Sequence, residues 1–232
     1  VLSIVVPCYN EEERLPRTIE QIERYLDGKG VDYELILVDD GSSDGTRLVM
    51  DAAAERNPHV RLEALPQNRG KGRALAEGVA AAKGSEVLVT DADLSTPIEE
   101  LEKLQAELDH GAGVAIASRA LRGSRVEVSQ PVYRVLMGKA FNLLVQVVLL
   151  PGIWDTQCGF KLFRADVAQD AFGHLTTDGF GYDPEVLYRA KKLGVKIAEV
   201  PVVWRNSAPT KVSPIKSSLD MFKHVVGVRF RS

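Results

Sequence analysis

Cysteine is scarce: Cys8 and Cys158 among 232 residues make no disulfide framework and fit a reducing compartment. The four histidines, His59, His110, His174 and His224, share no ligand spacing, which argues against zinc. Positive charge is not in excess: the net charge of -3 excludes a general nucleic-acid binder, which is basic over the whole domain. The first turn, Pro7-Cys8-Tyr9-Asn10-Glu11, has no glycine, so a bare pyrophosphate could not rest there as in a dinucleotide fold. Asn68-Arg69-Gly70-Lys71-Gly72 lacks the spacing and the Lys-Ser/Thr ending of a P-loop. No signal peptide opens the chain, and strand-like residues begin at Val1 without Met, as expected of a chain trimmed at either end.

What is present is enough for a proper core: 45% of the residues are hydrophobic, and the length suits one large α/β domain or two small ones. The reading adopted is a single domain over 1–232, with a nucleotide-binding half (1–118) and an acceptor-binding half (119–232). Val87 to Val89 read as a buried strand ending in Asp91-Ala92-Asp93, and Thr96 is expected to cap a helix running from Pro97 to His110. Two carboxylates at a strand's carboxyl end suit Mg²⁺ or Mn²⁺ sharing a phosphate ligand; the plainer alternative is that they cap turns and face solvent.

Strands alternate with helices along the chain. Leu2 to Pro7, Glu34 to Val38, Val60 to Leu65 and Val114 to Ala117 read as further strands. Helices fall between them: one from Leu15 ends at Gly28 and Gly30, one ends near Arg56, and one carries Leu75, Val79 and Ala82. Such alternation predicts βαβ units and a mostly parallel, Rossmann-like sheet flanked by helices. Leu162 to Arg164 forms a short strand, the segment 178–185 opens a helix, and Val195 to Trp204 is the last strand. The loops after the first, second and fourth strands therefore meet on one rim, a natural nucleotide-diphosphate site.

Charge is unevenly placed. Arg205 to Ser232 carries six Lys or Arg and one Asp, so this tail is +5 and the remainder is -8. Arg119, Arg122, Arg125, Arg134 and Lys139 form a second basic cluster with Glu127 as its only acid. Pro131 opens an expected helix to Leu150, apolar except for the stripe Arg134, Gly138, Asn142 and Gln146. Its longest charge-free run, Ala140 to Leu150, is short of the ~20 residues that span a bilayer, so it is either a core helix or one lying on a membrane surface. Ser213-Pro214 starts an expected amphipathic closing helix with Ile215, Leu219, Phe222 and Val226 on one face.

Pro7-x-Tyr9-Asn10-Glu11, the Val38 to Thr46 loop, Asn68-x-Gly70-Lys71-Gly72 and Asp91-Ala92-Asp93 resemble the ordered motifs of family 2 glycosyltransferases with the GT-A fold. Ser118-Arg119, the 155–161 segment, Tyr182-Asp183-x-Glu185 and Val200-Pro201-Val202-x-Trp204 resemble the branch making dolichyl or polyprenyl phosphate sugars. Asp155-Thr156-Gln157-Cys158-Gly159-Phe160-Lys161 looks closer to the glucose synthases of that branch than to the mannose synthases.

The resemblance implies inverting transfer of a hexose, glucose from UDP-glucose, to a lipid phosphate on the cytoplasmic face of a membrane. The alternatives are GDP-mannose as donor, or a glycan hydroxyl as acceptor. Carried over by position, Pro7, Tyr9, Asn10, Glu11, Asp39, Asp40, Ser42, Lys71, Asp91 and Ala92 line the nucleotide, and Asp91 and Asp93 hold Mg²⁺ or Mn²⁺. A lipid phosphate is already ionised and needs cations, for which Arg119, Arg134 and Lys211 are the candidates, with Arg122 and Arg125 behind them. A hydroxyl acceptor needs a base, and Asp183 is the carboxylate for that role. Ser95 stands where mannose synthases of this branch carry Gln, so a third side-chain metal ligand is not implied. Many members carry transmembrane helices at one end, and none is evident here. The membrane is then met only by the helix 131–150 and the closing helix, unless such segments have been removed.

Overall fold

The central strands alternate between two cores. Ile4, Val6, Leu35 and Leu37 point to one face of the sheet and Val5, Ile36 and Val38 to the other, and all are fully buried. Strands covered on both faces need such unbroken apolar runs, and the helices supply the cover. The computed structural model describes residues 1–127, 132–205, 225 and 227–230. Strands β1 (Leu2–Cys8), β2 (Tyr33–Asp39), β3 (Val60–Ala64), β4 (Glu86–Val89), β5 (Val114–Ser118), β6 (Arg125–Val126), β7 (Lys161–Arg164), β8 (Ile197–Pro201) and β9 (Val203–Trp204) alternate with helices α1 (Leu15–Lys29), α2 (Thr46–Arg56), α3 (Lys71–Ala81), α4 (Leu101–Asp109), α5 (Val132–Val148), α6 (Ala165–Gly173) and α7 (Tyr182–Lys192).

The main sheet has the order β3-β2-β1-β4-β7-β5-β8. All of its pairings are parallel except those of β7, which runs antiparallel between β4 and β5. Helices α1, α2 and α4 cover one face, and α3, α6 and α7 the other with part of α5. Helix α3 lies close to the sheet because Gly78 has no side chain: a Cβ there would stand 2.4 Å from Val5 Cγ1 and 2.8 Å from Val38 Cγ2. That approach brings Lys71, the first residue of α3, to the rim where β4 ends.

Several expectations need correction. Thr96 caps no helix. It is buried with its hydroxyl 3.4 Å from Cys158 Sγ, and Pro97 is extended (ψ 146°) ahead of a 3₁₀ turn over Ile98–Glu100. The last strand is two strands, because Pro201 brings no N–H to a ladder. β8 stays in the main sheet while β9 leaves to pair with β6. Gly28 lies inside α1, which ends one residue later. Helix α6 was not anticipated from the sequence.

Helix α5 packs into the core on one face and is exposed on the other. Val145 is buried in the core, whereas Leu136, Leu143 and Val147 are 61%, 63% and 78% exposed. Among the described residues, no helix is long and apolar enough to cross a membrane. Most of the closing helix lies outside the described residues, but Val225 and Val228 are buried against the α3, α6 and α7 side, and Arg229 donates to Tyr188 Oη at 2.9 Å.

Candidate active site

Because β1, β2 and β4 are adjacent and parallel, their carboxyl ends share a rim, and the loops that follow enclose a cleft of about 380 Å³. Of the residues expected there, Pro7, Tyr9, Glu11, Asp40, Lys71, Asp91, Ala92 and Asp93 line it. Cys8, Arg14, Asn68, Gly70 and Phe180 line it as well. Asn68 and Gly70 belong to a recognised motif, but nothing in the pattern marked Phe180.

Asn10, Asp39 and Ser42 do not line the cleft; they fasten its loops together. Asn10 N donates to Ser42 Oγ at 3.0 Å, Asn10 Oδ1 accepts from Ser43 N at 2.8 Å, and Asp39 accepts from Ser42 N at 2.9 Å. Asn10 has a φ of 56°, a left-handed conformation that asparagine tolerates better than most residues. Asp40 does similar work for the next loop, accepting from Asn68 Nδ2 at 3.1 Å, Arg69 N at 2.7 Å and Gly70 N at 2.9 Å. Glu11 is held by Arg14, whose Nε and Nη2 donate at 2.7 and 2.8 Å.

After β4 the chain makes a tight turn, Leu94 N donating to Asp91 O at 3.1 Å, and Leu94 adopts a φ of 44°. A branched residue in that region is strained, and strain of this kind persists where surrounding structure enforces it. The turn presents two carboxylates. Asp91 Oδ1 accepts from Lys71 Nζ, and Asp93 Oδ1 accepts from Ser95 N at 3.0 Å. Burial would depress the Lys71 ammonium, but the facing Asp91 outweighs it and holds the pKa well above the usual range. Burial and the adjacent Asp91 push Asp93 up from its ordinary value.

Among the described residues no cluster of three or more His, Cys, Asp or Glu side chains is poised for a metal. The donor set is two carboxylates facing the cleft. It fits Mg²⁺ or Mn²⁺, which take oxygen ligands and complete their shell with phosphate and water.

Arg119, Asp183, Arg122 and Arg125 do not line the cleft. Arg119 is engaged rather than free, its Nε and Nη2 donating to Asp155 at 2.7 and 2.9 Å while its guanidinium lies 5.2 Å from the Trp204 ring. Burial would raise the Asp155 carboxyl, but Arg119 outweighs it and holds it below its ordinary value. Asp183 is buried, with Lys161 Nζ donating to it. It is not presented to the cleft as a base would be. Arg122 and Arg125 are exposed. Arg134 lies on α5 with its side chain outside the described residues, and Lys211 lies outside them altogether.

The segment carrying Asp155 to Lys161 is strapped along its length. Glu199 accepts from Trp154 N at 2.8 Å and Asp155 N at 3.0 Å, and Asn142 accepts from Thr156 Oγ1 at 3.1 Å. Arg205 N donates to Ser95 O at 2.7 Å, tying the end of β9 to the carboxylate turn.

Rim, cleft and paired carboxylates together describe a nucleotide-sugar transferase of GT-A type. Residues 3–172 match the glycosyl transferase family 2 domain, and the chain belongs to that family. It is 36% identical to the dolichyl-phosphate beta-glucosyltransferase of Dictyostelium discoideum, over 99% of this chain and 74% of that protein. It is 35% identical to the human dolichyl-phosphate beta-glucosyltransferase, over 99% of this chain and 75% of that protein. Among solved structures it is similar in fold to glucosyl-3-phosphoglycerate synthase of Mycobacterium tuberculosis. The complex of that protein with UDP aligns with a TM-score of 0.69 at 24% identity, covering 99% of this chain and 79% of the other. Its complex with Mn²⁺, UDP-glucose and glycerol 3-phosphate aligns with a TM-score of 0.71 at 23% identity, covering 98% and 78%.

Proposed function

We propose that this glycosyltransferase moves glucose, with inversion, from UDP-glucose to the phosphate of a polyprenol or dolichol at a membrane surface. The observation that carries the acceptor is the state of Asp183. The carboxylate best placed in sequence to serve as a base is buried against Lys161. A hydroxyl acceptor must lose a proton, whereas a lipid phosphate attacks already ionised. The names of the relatives support the same acceptor and sugar.

In this reading residues 1–118 supply most of the donor site, with Phe180 added from the second half, and 119–232 bind the acceptor. Pro7, Tyr9 and Glu11 line the nucleoside end of the cleft, and Asp40 shapes it by fixing the 68–70 loop. Asp91 and Asp93 hold a divalent cation that, when bound, stabilises the departing diphosphate as a Lewis acid. Lys71 Nζ, on Asp91 in the free protein, is within reach of the same charge. An acceptor phosphate oxygen bonds to the anomeric carbon as the bond to the diphosphate breaks, and the electron pair leaves on UDP.

Arg134 and Lys211 are the cations proposed for the acceptor phosphate, and Arg119 orders the loop that begins at Asp155. The exposed face of α5 and the basic end of the chain meet the membrane, on the cytoplasmic leaflet, in keeping with two free thiols.

Transfer to a short polyprenyl phosphate in detergent, with UDP-glucose and GDP-mannose offered in parallel with Mg²⁺ or Mn²⁺, tests the reading. A chelator-sensitive glucolipid from UDP-glucose is expected. A mannolipid instead would replace the donor, and no lipid product with donor still bound would move the acceptor to a hydroxyl.

A further inference from the structure

We propose that Lys161 is a positioning residue for the Asp91 carboxylate, acting through the wall that residues 158–161 build behind it. The inference rests on the reading of Asp91 as a ligand of the donor site.

Lys161 is 1% exposed. Its Nζ donates to Cys158 O at 2.6 Å and to Asp183 on the first turn of α7, so one ammonium closes the turn and ties it to the helix. Gly159, inside that turn, touches Asp91: a Cβ on it would stand 2.0 Å from Asp91 Oδ2. Lys71 holds the other oxygen, Oδ1. The carboxylate is thus set from two sides, by an ammonium and by a backbone wall that Lys161 keeps from retreating. Both sides share a neighbour, the buried Tyr182 ring, which lies 5.6 Å from Lys71 Nζ and 5.9 Å from Lys161 Nζ.

Stability alone does not account for such a pair. Replacing a buried ion pair by apolar side chains of similar size is often neutral or stabilising, whereas removing one partner is strongly destabilising. What the charged pair adds here is direction, because the Lys161 ammonium that faces Asp183 also holds the Cys158 carbonyl. Groups that orient a metal ligand in this way typically change affinity by about 10-fold or more when lost.

The test measures UDP binding in the presence of Mn²⁺ by calorimetry, with a melting curve for each protein. Lys161→Met combined with Asp183→Leu removes both charges. It is expected to melt near the parent and to bind Mn²⁺·UDP roughly 10-fold more weakly. Parent affinity in that folded double variant would overturn the proposal. If the double variant does not fold, Gly159→Ala decides: it is expected to fold and lose affinity by displacing Asp91, and undiminished affinity would overturn the proposal. Asp91→Asn separates the two levels of the argument. Loss of Mn²⁺·UDP binding in it is expected, and its full retention would refute the reading of the site on which this inference stands.

Discussion

Asp40 accepts three hydrogen bonds from one loop, so its removal acts on the shape of the cleft as well as on its charge. Asp40→Ala leaves two backbone N–H groups unpaired, and a loss of roughly 2 kcal/mol is expected in denaturant unfolding, together with weaker nucleotide binding. Asp183→Asn separates a base from a structural counter-charge. With Lys161 left buried and uncompensated, stability is expected to fall by about 3–5 kcal/mol, while the pH profile of residual transfer keeps its shape. Loss of the limb that reports a base would restore the hydroxyl acceptor. At this scale the sequence was most legible where chemistry and spacing coincide, as in Asp91-Ala92-Asp93 following an apolar strand. It was least legible where a partner is remote: nothing near Arg119 announces Asp155, and nothing near Asp183 announces Lys161. Isolated arginines and aspartates therefore read as available when the fold has already paired them. Phe180 lines the cleft from a loop with no periodicity to mark it.

At the scale of elements, α5 has Val145 in the core and Leu136, Leu143 and Val147 exposed. Leu143→Glu on its exposed face is expected to change stability by less than about 0.5 kcal/mol, since no packing is lost there. The same change is expected to weaken binding to lipid vesicles, as judged by co-sedimentation, and unchanged binding would remove α5 from the membrane surface. Helix α3 is the opposite case. Gly78→Val drives a side chain into Val5 and Val38, with an expected cost of about 1–3 kcal/mol from overpacking. Element type followed well from periodicity, because β-branched runs and helical stripes are local signals. Element partners did not. The turn of β9 away from β8 depends on Pro201 and on β6, and the antiparallel entry of β7 depends on the strands on either side of it.

Over the whole molecule, acid should act through paired buried carboxylates. Burial pushes Glu185 up, but hydrogen bonds from Thr177, Thr176 and Arg189 outweigh it and hold it below its ordinary 4.5. A depressed carboxyl contributes stability that is complete above the unfolded value and is lost as pH falls through the folded one. Glu185→Gln is therefore expected to flatten the decline of unfolding free energy below pH 4.5, measured by denaturant titration at successive pH values.

The place of β7 in the sheet also bears on how the chain can be made. β4 and β5 emerge early, yet each leaves an edge unpaired until residues 161–164 arrive to fill the gap between them. Unpaired apolar edges invite pairing with other chains, so a nascent or truncated product ending near residue 118 should aggregate when released, visible as excluded-volume material on gel filtration. Synthesis of this protein thus carries a window of vulnerability that narrows when the strand following the Gly159 wall is delivered and closes when β8 covers the other edge of β5.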